Sequence, residues 1–215
     1  LLSRRQRQMC IRDSNYVDLI KQENIQNDKV KEYIEILDNK SQRLKKLIED
    51  LVEASKASSG NIKINKEVLN VKELLSQVTG EFKDKFNKRG LNIITKVPEE
   101  IVYIKADSRY LYRVLENVYS NVAKYAAQDS RVYLDCVLEE NGDVVIYVKN
   151  ISKEELNIST DELMQRFVRG DKSRNTEGSG LGLSIANSLT ELQGGTFNIH
   201  LDGDLFKTEI RFKRV

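Results

Sequence analysis

The sequence predicts an α+β fold, a two-layer α/β sandwich with helices on one face of a mixed sheet, preceded by a helical hairpin. Two patterns carry this expectation: a heptad-spaced helix without glycine or proline ahead of residue 58, and strand pairs interleaved with amphipathic helices after it. A length of 215 residues suffices for one large domain or two small ones, and 40% hydrophobic with 32% charged residues is ordinary for a chain that folds in water.

The first stretch, residues 1–14, fits neither pattern. "RRQRQMCIRD" has no apolar period of 3.6 or 2, no caps and no turn chemistry, so it reads as loop or as foreign sequence. "QMCIRDS" can be encoded by CAGATGTGTATAAGAGACAG and one further base, which resembles the transposon end ligated to DNA fragments in sequencing libraries. Residues 1–14 are therefore expected to be a translated, non-native leader.

Residues 15–58 read as two helical pieces. Asn15 to Lys21 carries Tyr16, Val17, Leu19 and Ile20, and the polar break "QENIQND" follows. From Lys29 to Ser55, Val30, Ile34, Leu37, Ser41, Leu44, Ile48, Leu51 and Ser55 recur in alternating steps of four and three, a heptad seam. Such a stripe needs a partner. A homodimeric four-helix bundle supplies one, and packing of the hairpin on its own domain supplies another.

From residue 59 the period changes. A helix is expected near 71–88, strands near 91–97 and 101–105, and a helix from Ser108 to about Ala127. Strands near 131–139 and 143–150 flank the turn "ENGD", and a last helix near 181–193 precedes two strands around "DGD". The segment from Ile151 to Ser179 is long and polar, with Arg166, Arg169, Lys172 and Arg174, and long loops of this kind are usually functional or disordered.

Several function classes are disfavoured at once. With 35 basic and 33 acidic residues spread along the chain, the net charge of +2 offers no broad basic field, so no nucleic-acid role is indicated. The longest apolar run, "VVIYV" at 144–148, is far short of the roughly 18 residues of a membrane span. Any membrane anchor is expected in segments upstream. Cys136 alternates with Val132, Leu134 and Leu138 on one strand face, which reads as a core thiol in a reducing cytoplasm rather than a ligand.

Three stretches carry chemistry. In "YLYRVLENVYSNVAKYA", Leu111, Val114, Leu115, Val118 and Val122 form an apolar stripe, and Asn117, Asn121 and Lys124 fall at i, i+4 and i+7 beside it. Asparagine is a poor helix former, so two of them one turn apart suggest that their amides are used. A hard divalent cation would use the carboxamide oxygens and Lys124 would meet a phosphate, although a solvated polar face is the plain alternative. In "NTEGSGLGLSIANSL", Gly178, Gly180 and Gly182 precede a helix, which lets backbone approach a ligand and points the first helical amides at an anion. No lysine followed by Ser or Thr stands where a Walker loop needs it, and Leu183 stands where the last glycine of GxGxxG would fall. On "DVVIYVKN", Val144, Ile146, Val148 and Asn150 share a face. A purine edge would satisfy the Asn150 amide, as would a local turn.

Together these stretches resemble, in order and spacing over about residues 28–215, the ATP-binding domain of sensor histidine kinases. "NVYSNVAKY" is similar to the family's N box, "LMQRFVRGDKSR" to its F box, "GSGLGLSIA" to its G2 box and "LQGG" to its last glycine box. The resemblance implies a Bergerat-type ATPase fold over 59–215, binding ATP and Mg²⁺. Asn121 would be the principal Mg²⁺ ligand with Asn117 assisting, and Lys124 and Tyr125 would stand at the nucleotide. Phe167, Arg169 and Lys172 would belong to a mobile lid, with Gly178, Ser179, Gly180, Leu181, Gly182 and Leu183 beneath the phosphates. The family's DxGxG adenine box reads "NISKE" here, so Asn150 replaces the aspartate and a neutral amide must accept the base's hydrogen bond.

The resemblance also implies a histidine kinase that dimerises through its N-terminal helices, hands phosphate to a response regulator receiver domain, and is the cytoplasmic part of a membrane-anchored protein. "NYVDLI" looks like the end of the family's acceptor motif, and counting back puts the acceptor near Arg4, where no histidine stands. His200 is the only histidine, on an expected strand, and reads as structural. Two alternatives compete: a degenerate kinase acting as a dimeric binding module, and a serine kinase of the anti-sigma type, which would not need the heptad helix.

Overall fold

The computed structural model describes residues 20, 27–60, 62–157, 159–164 and 180–215. The leader 1–14 and most of the short helix expected over 15–21 lie outside the described residues. The chain divides into two compact units between Lys56 and Ala57.

The first unit is described by one long helix, α1 (Asp28–Ser58). The Asn27 side chain starts it by accepting from the Lys29 and Val30 amides at 3.0 and 3.4 Å, and Asp28 and Lys56 complement the helix dipole at opposite ends. Along the seam Ile34 and Ile48 are buried, while Val30, Leu37 and Leu44 remain exposed.

The second unit runs β1 (Glu67–Asn70), α2 (Val71–Asn87), β2 (Asn92–Lys96), β3 (Tyr103–Ala106), α3 (Ser108–Tyr125), β4 (Arg131–Leu138), β5 (Asp143–Ile151), α4 (Thr160–Met164), α5 (Gly182–Leu192), β6 (Thr196–Asp202) and β7 (Leu205–Lys213). Five strands form a mixed sheet in the order β2-β4-β5-β7-β6, with β2 parallel to β4 and the other neighbours antiparallel. Alternate residues of this sheet, among them Val132, Leu134, Ile146, Val148, Ile210 and Phe197, bury against the helical layer. Within that layer α3 packs beside α5 and α2. Phe82, Phe86 and Tyr119 cluster with centroids 5.4 to 5.9 Å apart, Phe86 stacked on Tyr119 and Phe82 edge-on to it, and the Tyr119 hydroxyl lies 2.9 Å from Thr79 Oγ1. Burial pushes the Tyr119 phenol up to about 12 and the Cys136 thiol up to about 11, as the core reading of Cys136 requires. The other sheet face is polar: Arg211 bridges Glu139, Asp143 and Glu209, and Lys213 together with Arg211 holds the Asp143 carboxyl below its ordinary value.

The structure adds what the pattern left open. The strand near 101–105, as β3, pairs antiparallel with β1, Leu69 opposite Ile104, in a separate two-stranded sheet. β1 is only four residues long and runs straight into α2, too short to announce itself by period. The third helix stops at Tyr125 rather than Ala127, because Ala126 turns extended (φ −63°, ψ 146°) and bridges Ser152. Inside the polar segment after Ile151, Thr160–Met164 forms the short helix α4.

"LQGG" ends α5 for a steric reason. Gly194 has φ +84° and its amide donates to Glu191 O at 2.8 Å, while the Gly195 amide donates to Thr190 O at 3.0 Å, so the last carbonyls are capped. A Cβ on Gly195 would stand 2.6 Å from Arg211 O and 2.8 Å from the Phe212 ring. Gly195→Ala should therefore overpack the α5–β6 junction and cost about 1 to 3 kcal/mol. Thermal unfolding should show this as a midpoint lowered by several degrees; an unchanged midpoint contradicts the packing argument.

Candidate functional site

α3 is anchored at its start by Asp107, which is nearly fully buried. Its Oδ1 accepts from the Tyr110 amide at 3.3 Å, its Oδ2 accepts from the Asn65 amide at 2.9 Å, and its own amide donates to Gln193 Oε1 at 2.9 Å. The start of α3 and the end of α5 are thereby tied together. At the other end Arg89 donates to the carbonyls of Ala123 and Ala126, at 2.5 and 2.8 Å. With both ends held and Leu111, Val114, Leu115, Val118, Tyr119 and Val122 buried, the flank bearing Asn117, Asn121 and Lys124 has no rotational freedom.

Asn117 meets the glycine-rich turn. Its Oδ1 lies 3.3 Å from where a Cβ on Gly182 would stand, so a side chain there would press on the amide. Its Nδ2 is buried and has no hydrogen-bond partner. Gly180 has φ +71°, the left-handed conformation that glycine adopts without strain. Leu181 is fully buried and its side chain offers no cap to the first amides of α5. A buried donor beside a helix N-terminus that its own N-cap residue does not cap forms a neighbourhood that favours anions.

Asn150 sits at the end of β5, opposite Val132 on β4 and Phe206 on β7, and is 2% exposed. Its Nδ2 donates to Ile151 O at 3.2 Å, which orients the amide, while Oδ1 is buried and unpartnered. The same Ile151 carbonyl accepts from the Ala127 amide at 2.8 Å, and the Lys153 amide donates to Tyr125 O at 2.8 Å. These two bonds join the end of β5 to the end of α3, so Asn150 and the segment carrying Asn121, Lys124 and Tyr125 share one corner. Asn121 and Tyr125 are half-buried there and Lys124 is exposed.

The structure thus brings Asn117, Asn121, Lys124, Tyr125, Asn150, Gly180, Leu181, Gly182 and Leu183 to the surroundings of α3. Phe167, Arg169, Lys172, Gly178 and Ser179 lie outside the described residues. Sequence reading missed Thr208, which is 1% exposed, stands opposite Val148 one step from Asn150, and donates to Val148 O at 3.4 Å. Its signal was available: a lone hydroxyl in the period-two series Phe206, Thr208, Ile210, Phe212. His200 meets Glu209 across the β6–β7 pair at 3.3 Å, a carboxylate that chain order hides.

Among the described residues no group of three or more His, Cys, Asp or Glu side chains is placed to hold a metal ion. A cation at this site would be held by neutral amide oxygens together with the ligand's own phosphates. The carboxamides of Asn117 and Asn121 suit a hard ion that keeps part of its water, as Mg²⁺ does.

Residues 106–214 match the histidine kinase-, DNA gyrase B- and HSP90-like ATPases, a family to which the chain therefore belongs. The similar curated proteins are sensor kinases. A sensor-like histidine kinase of Rhizobium meliloti is 27% identical over 180 residues, covering 81% of this chain and 34% of that protein. Sensor histidine kinase WalK of Bacillus subtilis is 26% identical over 168 residues, 76% of this chain and 27% of WalK. The chain thus spans about a third or less of the length of these relatives. Among solved structures, full-length ShkA in complex with AMPPNP superposes with a TM-score of 0.82 at 20% identity, over 97% of this chain and 44% of ShkA. The catalytic domain of histidine kinase ThkA superposes at 0.61 and 19% identity, over 70% of this chain and 96% of ThkA's. These likenesses carry the fold: the mixed sheet with helices on one face is that of histidine kinase catalytic domains.

Proposed function

We propose that this chain binds Mg·ATP at the α3–α5–β5 corner and is the phosphotransfer portion of a two-component sensor histidine kinase, whose acceptor histidine is missing from this sequence. One observation carries the reading: two buried amide atoms of opposite polarity, the donor Nδ2 of Asn117 and the acceptor Oδ1 of Asn150, have no hydrogen-bond partner among the described residues. Leaving such atoms unpaired costs about 1 to 3 kcal/mol each, a cost that a ligand carrying phosphate oxygens at one end and an exocyclic amine at the other would remove.

In this reading each group has its own task. Asn150 Oδ1 accepts from the adenine amino group, with Thr208 on the neighbouring strand as a second polar group at that end. The α5 amides and Lys124 face phosphate oxygens. The carboxamide oxygens of Asn121 and Asn117 would hold Mg²⁺, which when bound would neutralise charge on the transferring phosphates. The chain's task is then to hold the γ-phosphoryl in line for an imidazole nitrogen. A P–N bond forms as the bond to the β-phosphate oxygen breaks, and ADP leaves. Phe167, Arg169 and Lys172 are assigned to the lid by resemblance. His200, engaged with Glu209, is not the acceptor.

The exposed seam residues Val30, Leu37 and Leu44 support self-association through α1 as half of a homodimeric bundle. A response regulator receiver domain is the onward acceptor, and membrane anchoring belongs to segments upstream; no described helix is long and apolar enough to cross a membrane. Residues 1–14 are read as adapter-derived, and a different codon series in the nucleotide record would refute that.

Calorimetric titration with ATP, with and without Mg²⁺, tests binding. Incubation with a separate histidine-bearing dimerisation helix tests transfer, through acid-labile, base-stable phosphate on that helix. Bound ATP without transfer favours the second reading, a nucleotide-binding module without catalysis, for which the replaced "NISKE" box is the specific argument. No heat of binding from folded protein sinks both.

A further inference from the structure

A second surface lies away from this corner, where α2 meets β2. β2 is an edge of the five-stranded sheet and has no strand neighbour on its outer side among the described residues. Its polarity follows from its parallel pairing with β4: the Asn92 amide donates to Ser130 O at 2.9 Å, in a register that sets Ile93 opposite Val132. Alternate residues of a strand point their N–H and C=O groups the same way, so Asn92 and Ile94 bond β4 while Ile93 and Thr95 direct theirs outward. Ile93, Thr95 and Val97 also line a groove of about 530 Å³ between β2 and α2.

The groove has a floor and a gap. Leu75, Phe86 and Leu91 close it below, and Gly80 leaves it open, since a Cβ there would meet nothing within 4 Å. Free backbone groups beside an apolar trough form the geometry in which an extended segment adds to a sheet, with alternate side chains entering the trough.

Charge narrows the occupant. Lys83 is the single charged residue lining the groove, and Lys88 and Lys96 flank lining residues. None of the three has an ion pair among the described residues. Of the nearby acids, Glu81 is already engaged by Tyr112 and Gln77, which hold its carboxyl below the ordinary value. Lys83, Lys88 and Lys96 thus leave three cationic groups along this rim with no ion pair among the described residues.

We propose that this edge is a docking site for an extended segment of a partner polypeptide in which apolar and acidic residues alternate. The segment extends the sheet past β2, its apolar side chains fill the groove over Gly80, and its carboxylates meet Lys83 and its neighbours. The site shares no residue with the nucleotide corner, so docking and nucleotide binding are separable.

The test uses the whole chain and two labelled heptapeptides, one alternating glutamate with valine and the other alternating lysine with valine, followed by fluorescence anisotropy and by amide shifts over 75–97. The glutamate peptide should bind, and the lysine peptide should bind at least tenfold more weakly. Thr95→Pro removes an outward N–H that no described group uses, and Gly80→Leu fills the trough. Each should lower binding tenfold or more without changing ATP titration. Lys83→Glu should narrow or reverse the preference between peptides. Absence of binding at roughly 1 mM peptide, the weak end of specific association, overturns the proposal. So does equal binding of both peptides, binding indifferent to Thr95→Pro and Gly80→Leu, or self-association through β2 without peptide capture.

Discussion

Asn150→Ala should weaken ATP binding about ten- to a hundredfold while leaving the ligand-free protein no less stable than expected from its lost volume. The reasoning rests on the asymmetry of the Asn150 amide. Nδ2 is satisfied by Ile151 O at 3.2 Å, whereas Oδ1 is buried without a partner, so only a ligand completes the group. One lost hydrogen bond together with an unpaired base donor costs about 1.5 to 3 kcal/mol, and every 1.4 kcal/mol is a factor of ten in affinity. Asn150→Leu sharpens the test, because it keeps the branched outline of the side chain and removes the orphan acceptor. It should hold or raise the thermal midpoint of the free protein and still lose ATP affinity. Calorimetry and thermal unfolding on the same samples check both halves. Unchanged affinity in both variants would remove Asn150 from the site.

The second large effect is expected at Asn121. Asn121→Ala should abolish the difference between ATP titrations with and without Mg²⁺ and reduce phosphoryl transfer to an added histidine helix by roughly a hundredfold, the scale of losing one electrostatic contact to a transferring group. Its fold should not suffer. Asn121 is half-buried on the flank of α3 rather than in its apolar stripe, and alanine is the better helix former by about half a kcal/mol. A variant with normal Mg²⁺ dependence and normal transfer would assign the cation elsewhere.

Much of this site was legible from local pattern. The spacing of Asn117, Asn121 and Lys124 beside an apolar stripe is a property of helix period, and the structure sets Gly182 of the glycine-rich stretch directly against Asn117. Period two put Asn150 on the apolar face of its strand, and it is indeed buried there. Thr208 was passed over because a single threonine in a strand is ordinary until its neighbour across the sheet is known, and that neighbour is sixty residues away in sequence. β1 was missed because four residues leading directly into a helix contain too few periods to register. The partner of β3 was not legible, because a strand's pattern says which face is apolar and not which strand it joins; pairing is a long-range choice.

The sequence by itself determined the elements, the apolar faces and the residue types gathered for a nucleotide, because helix and strand periods and turn chemistry act over a few residues. Only the tertiary structure decided which groups are left wanting. The orphan Nδ2 of Asn117 and Oδ1 of Asn150, the tie from Ile151 and Lys153 back to Ala127 and Tyr125, and the bare edge of β2 all depend on what packs beside them. Satisfaction of a polar group is a property of its surroundings, and those are assembled from residues far apart in the chain.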